Sequence, residues 1–387
     1  MAITAIRGNR VTLLKNGVEY FPALVAEIDT AQQGVRLETY IYADDSAGRM
    51  IGLALMRAAR RGLDVRLLID GFGSRLLPAA FVEDLRAAGV RVLFFRPDRP
   101  WHSFRRSSLR RLHRKIAVVD ARVAFVGGIN ILDDFSQTPG SAPRFDYAVR
   151  VEGPLVIPIY RAVHRLWWQV AAMAGRVRRA EFARPLLSVR QAGEITAAFV
   201  YRDNVRHRRD IERMYLEGIN AARREIFIAC AYFLPGRRVR QALMQAAARG
   251  VRVVLLLQGW SDHPVLLRAT RVLYEALLDS GIEIHEYTRT ELHAKVALAD
   301  DRWATVGSSN LDPFSLFLAR EANVAIFDEA FARALRVSIE EEMRKGAVAV
   351  PRMLWKHRSL VVRFASWFAY GYARLAIGLA GLGARWR

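Results

Sequence analysis

Thiols are nearly absent from this chain: 387 residues include one cysteine, Cys230. That excludes an internal disulfide framework and makes a reducing compartment unproblematic. Cys230 sits in an apolar, strand-like run, so core packing is its expected role. No cysteine joins the histidines at zinc-ligand spacing, and His207 and His263 stand alone, so no metal or cofactor is indicated. The first ten residues lack the apolar stretch of a secretory leader. The apolar C-terminal stretch 360–387 has no uncharged run above ten residues, too short to span a bilayer. Acidic residues are also in deficit, 38 against 59 lysines and arginines, for a net charge of +21 and a pI near 10.9. Such an excess suits a polyanionic partner, either nucleic acid or an anionic membrane, and composition does not choose between them. The length accommodates two modest domains.

What is present is a motif that occurs twice. His113-Arg-Lys115-Ile-Ala-Val-Val-Asp120 leads to Gly127-Gly128-Ile129-Asn130, and His293-Ala-Lys295-Val-Ala-Leu-Ala-Asp300 leads to Gly307-Ser308-Ser309-Asn310 at the same distance. Alternation along a strand puts His113 with Lys115, and His293 with Lys295, on common faces. A second apolar strand follows each (Val123–Val126; Trp303–Val306), then a small-residue loop. Asn310-Leu-Asp-Pro-Phe reads as a helix start with Pro313 near the first helical position, and its outward N–H groups suit an anion. With a lysine and a carboxamide added, each copy reads as a phosphate cradle containing a histidine.

Both copies resemble the His-x-Lys-x4-Asp signature of the phospholipase D superfamily. Residues 293–313 and Ala229–Gly236 resemble, within it, the bacterial cardiolipin synthases of the B type. The resemblance runs over about residues 10–345. It implies an α/β fold of two similar phospholipase D-like halves with the active site at their interface. It also implies a catalytic signature of His113, Lys115, Asp120, His293, Lys295 and Asp300, with His113 as nucleophile and His293 as acid/base. Asn130, Asn310 and Ser308 are the expected phosphate-binding residues, with Ser308 offering a hydroxyl that Gly128 lacks. Asp146 and Glu321, at matching places in the repeats, are the expected carboxylates that orient the histidines. Asp120 and Asp300 lie toward the strand ends and are expected to brace turns. The implied reaction condenses two phosphatidylglycerols into cardiolipin, with a hydrolase of the same intermediate as the alternative and a nuclease further behind.

The rest of the chain follows the same duplication. Strands at Gly34–Ala43, Leu63–Asp70 and Val90–Phe95, with helices at Gly48–Arg61 and Phe81–Ala88, are answered by Glu225–Phe233, Val239–Arg249 and Val251–Leu257. Domains are expected at 1–185 and 186–345, with a tail at 346–387. Residues 96–115 carry eight lysines or arginines among Trp101, His102 and Phe104, either a solvated loop or a basic rim for head groups. Asp70-Gly71-Phe72-Gly73-Ser74 reads as a strand-to-loop turn. Residues 155–180 read as a helix with Trp167, Trp168 and Met173 packed between halves. In the tail, Arg363, Arg374 and Arg385 recur on one face of an aromatic stretch, as in an interfacial helix. The expected partners are therefore an anionic phospholipid (phosphatidylglycerol) and a membrane surface, with no nucleic acid and no oligomer required. The expected location is peripheral, on the cytoplasmic side of the cell membrane.

Overall fold

Apolar strands alternating with amphipathic helices build one layered unit, and the chain builds it twice. The structure, a computed structural model, describes residues 4–97, 110–135, 142–175, 190–260, 264–353 and 371. The first unit runs β1 (Ile6–Lys15), α1 (Asn16–Thr30), β2 (Gly34–Thr39), α2 (Ser46–Arg60), β3 (Asp64–Asp70), α3 (Ala79–Ala87), β4 (Arg91–Phe95), β5 (Lys115–Val119), β6 (Val123–Gly127), β7 (Tyr147–Glu152) and α4 (Val156–Met173). The second repeats that order. It comprises β8 (Ile195–Arg202), α5 (Asp210–Ala221), β9 (Glu225–Cys230), α6 (Arg237–Ala248), β10 (Arg252–Gln258), α7 (Pro264–Val272), α8 (Tyr274–Asp279), β11 (Glu283–Tyr287), β12 (Lys295–Ala299), β13 (Trp303–Gly307), α9 (Pro313–Phe317), β14 (Glu321–Phe327), α10 (Glu329–Gly346) and β15 (Ala347–Ala349).

The strand order β15-β11-β10-β9-β12-β13-β14-β8-β1-β7-β6-β5-β2-β3-β4 reads as one unit followed by its mirror order. The two meet where β1 and β8 pair antiparallel, at Ile6↔Ala197 and Asn9↔Ile195 with a register irregularity between. Within each unit the outer strands (β2-β3-β4; β9-β10-β11) are parallel, and the motif strands join them antiparallel. Strands β2, β5, β6, β9, β12 and β13 are buried along their whole length, because layers cover both faces; this explains their continuous Val/Ile/Leu/Ala runs.

The halves are not separate bodies. One buried cluster takes Ile116, Val126, Tyr147 and Ile159 from the first and Phe227, Leu256, Val296 and Leu335 from the second. Helix α4 starts in that shared core. Its later turns pack Leu166 and Trp167 onto Leu68, Leu93 and Phe95 of the first half alone, while Met173 is exposed. β15 pairs with β11, so the second half's sheet continues just past the boundary expected at 345. Most of the basic segment after residue 97, residues 176–180 of the long helical pattern and almost all of the tail beyond 353 lie outside the described residues.

Candidate active site

Two strands end sooner than their apolar runs suggest. β2 ends at Thr39, whose hydroxyl donates to the Ile41 carbonyl (2.8 Å), and the bend sets Tyr40 against His113 with ring centroids 4.9 Å apart. β9 ends at Cys230, beside the Asn310 loop.

Each motif histidine sits just before its strand, in a segment stitched to the opposite half. His113 N–H donates to the Arg320 carbonyl (3.0 Å), and Arg320 N–H to the Arg111 carbonyl (2.8 Å). His293 N–H donates to the Phe145 carbonyl (2.8 Å), and Phe145 N–H to the Glu291 carbonyl (2.9 Å). A side chain from the first half's β3 or its counterpart holds each approach: Asp70 accepts from Leu112 N–H (2.8 Å) and Gln258 from Leu292 N–H (2.5 Å). The Asp70 carboxylate also accepts from the Phe72 and Gly73 amides, forming the turn expected there.

This stitching crosses the carboxylates. Glu321, in the second half, lies 2.9 Å from His113 Nδ1, and Asp146, in the first, lies 2.5 Å from His293 Nδ1. Repeat matching finds both carboxylates but not which imidazole each meets, because only the fold brings residues this distant in sequence together. With Nδ1 held by a carboxylate, Nε2 is the nitrogen left for other contacts in each ring.

The lysines lie between. Lys115 Nζ donates to the His113 carbonyl at 2.7 Å, Lys295 Nζ to that of His293, and Lys295 Nζ stands 3.8 Å from Asp146. Asn130 accepts from Ile41 N–H (3.2 Å) and Asn310 from Tyr232 N–H (3.4 Å) through their carboxamide oxygens. That orientation leaves each NH2 as the donor available to a phosphate oxygen. The loop amides expected to cradle an anion are in part engaged elsewhere. Gly128 N–H and Ser308 N–H extend the sheet onto Tyr147 and Ala322 carbonyls, both at 2.9 Å. Asp312 fills the start of α9 by accepting from Phe314 and Ser315.

Three expected residues have other places. Asp120 and Asp300 sit in the hairpin turns at the far ends of β5 and β12, about 16 Å of strand from the lysines. Both have positive φ, as do Ala121 and Asp301, the conformation of a two-residue type I′ turn that aspartate tolerates. Asp120 accepts from the amides of Gln32, Gln33 and Gly34, and Asp300 from those of Arg223, Arg224 and Glu225. They brace turns, as their place in the strand predicts, and belong outside the catalytic set. Ser308 is fully buried; its hydroxyl donates to Glu321 (2.5 Å) and accepts from Ala322 N–H (3.1 Å), so it positions a carboxylate instead of binding phosphate. At Gly128 an added Cβ would lie 2.3 Å from the Asp146 carboxylate, so glycine there makes room for the other one.

Burial sets the electrostatics. It lowers His113, against the pull of Glu321, and lowers His293 well below the usual range, helped by Lys295 and Arg144. It raises Asp146 to about 7 and lowers Lys115 to about 7, where Lys295 adds repulsion. Burial thus pushes the members of the site toward neutrality. A bound phosphodiester anion would restore charge to the lysines. Cys230 is buried as expected, with its thiol raised to about 12 by burial, and it accepts from Leu311 N–H (3.4 Å) beneath the Asn310 loop.

Comparison with known proteins agrees with this geometry. A family model described as cardiolipin synthase, PLD-like domain, matches residues 24–137 and 215–343, one span in each half. Cardiolipin synthase B of Escherichia coli K12 is 45% identical over 338 residues, covering 85% of this chain and 79% of that protein. A probable cardiolipin synthase of Bacillus subtilis is 30% identical over 349 residues, 90% of this chain and 69% of its own length. Among solved structures, phosphatidylserine synthase of Haemophilus influenzae superposes with a TM-score of 0.71 at 13% identity, over 97% of this chain and 95% of that one. That likeness speaks to the fold alone. This chain belongs to the cardiolipin synthase family of phospholipase D-like proteins.

Proposed function

We propose that the protein transfers a phosphatidyl group from one phosphatidylglycerol to a hydroxyl of another, giving cardiolipin and glycerol. The observation that carries this reading is the pair of crossed dyads, His113–Glu321 and His293–Asp146, with two lysines and two asparagines between them. One imidazole Nε2 attacks phosphorus, and the bond to the departing glycerol breaks as the other imidazolium gives that oxygen its proton. The second imidazole then takes the proton of the incoming hydroxyl, whose oxygen displaces the histidine and restores the free enzyme. Lys115, Lys295, Asn130 and Asn310 stabilise the charge on the equatorial oxygens. Asp146 and Glu321 hold each Nδ1–H and act as positioning residues.

Residues 1–185 and 186–349 are the two units of this site, and the remainder to 387 is the membrane-associating tail. Among the described residues no helix is long and apolar enough to cross a membrane. The basic composition and the arginine-aromatic tail support peripheral binding on the cytoplasmic side. Labelled phosphatidylglycerol in mixed micelles with purified protein tests the reading by thin-layer chromatography. Cardiolipin with free glycerol is expected. Phosphatidic acid alone would make the protein a hydrolase, and no lipid turnover would overturn the assignment.

A further inference from the structure

The two histidine approaches are built alike in backbone and unlike in charge. With the two histidines aligned, Arg110, Arg111 and Arg114 of the first half stand where the second has Thr290, Glu291 and Ala294. After the last residue of the outer parallel strand, Arg96 follows Phe95 where Thr288 follows Tyr287. Before the crossed carboxylates, Arg320 precedes Glu321 where Phe145 precedes Asp146. At these five matched positions the His113 side carries arginine and the other side does not; the His293 side has Arg144 instead, and that arginine is paired with Glu291.

The geometry of the paired corners makes the contrast sharper. Phe145 packs on Tyr287 with centroids 5.4 Å apart, a closed aromatic contact. In the matching corner the Arg320 guanidinium lies 5.7 Å from the Phe95 ring centroid and that of Arg96 lies 5.6 Å from it. Arg114 is paired with Glu38, and Arg111 is 4.0 Å from Asp70. Among the described residues, no carboxylate lies within ion-pair distance of Arg96, Arg110 or Arg320, and Arg320 Nε is buried without a hydrogen-bond partner. The acidic groups nearby are engaged: Asp203 by the amides of Val205, Arg206 and His207, Glu38 by Arg114, Asp70 by three backbone amides, and Glu321 by His113 and Ser308. Arg96 and Arg320 are half-buried and Arg110 is exposed, and guanidinium is suited to bind phosphate oxygens in pairs.

We propose that Arg96, Arg110 and Arg320 form an anion subsite beside His113 that takes the phosphodiester of a second phospholipid. It rests on the phosphatidyl-transfer reading above. The lipid is either the second substrate or a neighbouring anionic lipid of the bilayer, and the same guanidinium chemistry serves both. Burial lowers the Arg320 guanidinium to about 10, which leaves it charged at neutral pH, and lowers Arg96 as well, where Arg110 and Arg111 add repulsion.

The test compares two reactions of one centre: cardiolipin formation from phosphatidylglycerol, and exchange of labelled glycerol into phosphatidylglycerol, whose acceptor carries no phosphate. The variants are R96Q/R110Q, R320F, which installs the residue of the other half, and R320K, which keeps the charge. The ratio of cardiolipin formation to exchange should fall about tenfold in the first two, and R320K should recover much of it. A fixed ratio in micelles, with the variants floating less than wild type on phosphatidylcholine vesicles containing phosphatidylglycerol but equally on phosphatidylcholine alone, would assign the subsite to bilayer lipid. A fixed ratio with flotation unchanged in folded variants would overturn the subsite. If the wild-type protein performs neither reaction, the phosphatidyl-transfer reading fails, and flotation of the same variants on the two vesicle types decides the subsite separately.

Discussion

The halves share a strand order, a motif and a pattern of backbone stitches, yet the side chains around their common histidine, lysine and asparagine differ. In the second half Ser308 clamps the longer carboxylate, Glu321, which reaches His113; in the first, Gly128 leaves space for the shorter Asp146, which reaches His293. The approach to His113 is lined with arginine, and the approach to His293 with Thr290, Glu291 and Phe145. A duplicated unit supplies two imidazoles in one geometry. The proposed transfer asks them to perform different steps, which divergent surroundings suit, since an attacking nitrogen and a proton donor need opposite protonation states.

Removing either imidazole is the largest break in that division of labour. His113→Ala and His293→Ala should each lower turnover by about a thousandfold or more, since residues acting as one unit do not back each other up. Substantial turnover by either purified variant would show that the dyads work independently.

Next come the carboxylates, which test the crossing itself. Glu321→Gln and Asp146→Asn should each cost roughly 10–100-fold in kcat, the scale seen when groups that orient a working histidine are altered. The diagnostic readout is nitrogen NMR of the rings. Glu321→Gln should perturb the tautomer and titration of His113 and leave His293 alone, and Asp146→Asn should do the converse. Perturbation within the same half would contradict the crossed arrangement.

Exchanging the small residues beside those carboxylates should act unequally. Gly128→Ser puts an atom against the Asp146 carboxylate and should lower kcat about tenfold. Ser308→Gly removes one hydrogen bond to Glu321 and should cost less, while lowering the thermal midpoint because Ala322 N–H loses its hydroxyl acceptor. Equal effects would mean that the asymmetry has no bearing on either imidazole.

The sequence made the duplicated site legible because the motif binds backbone geometry to chemistry. Lys115 and Lys295 open strands, and the aspartates sit at positive φ in turns, so spacing alone predicts both places. The crossing was not legible, since each carboxylate follows its own histidine in the chain and reaches the other only through the shared core. Tyr40 went unseen for a similar reason: a strand-like run gives no sign that Thr39 will end the strand and turn the next ring onto His113. Ser308 looked like a phosphate donor because a hydroxyl in a loop is a donor until its partner is known.

The pH profile separates the empty site from the occupied one. Lys115, at about 7 in the free protein, is charged below that value, and its charge is what a phosphodiester requires. Raising pH through about 7 should therefore depress kcat/KM, which reports the free enzyme. In the complex the substrate anion favours the ammonium, so the alkaline limb of kcat should lie higher. On the acid side, Asp146 at about 7 must lose its proton to stabilise the His293 imidazolium, so kcat/KM should fall there too. Limbs coinciding in the two profiles would argue against a buried lysine as the phosphate ligand.

The smallest effect on chemistry is expected where the motif looks most catalytic. Asp300 accepts three backbone amides that bind the β12–β13 turn to the start of β9, and these contacts hold its carboxyl below the usual range against burial. A carboxylate depressed on folding stabilises the native state above its unfolded value, near 3.9, and that contribution is lost as pH falls through the lower folded value. Asp300→Asn should therefore reduce stability at neutral pH by about 1–3 kcal/mol, the scale for hydrogen bonds to a charged acceptor, and narrow the gap to wild type in strong acid. Its kcat at a temperature where the fold persists should stay within about threefold of wild type, because the turn is a full strand away from the imidazoles. Denaturation curves at two pH values, with kcat measured on the same preparations, separate the roles: a collapse of kcat without loss of stability would return Asp300 to the chemistry, whereas the reverse pattern identifies it as a brace.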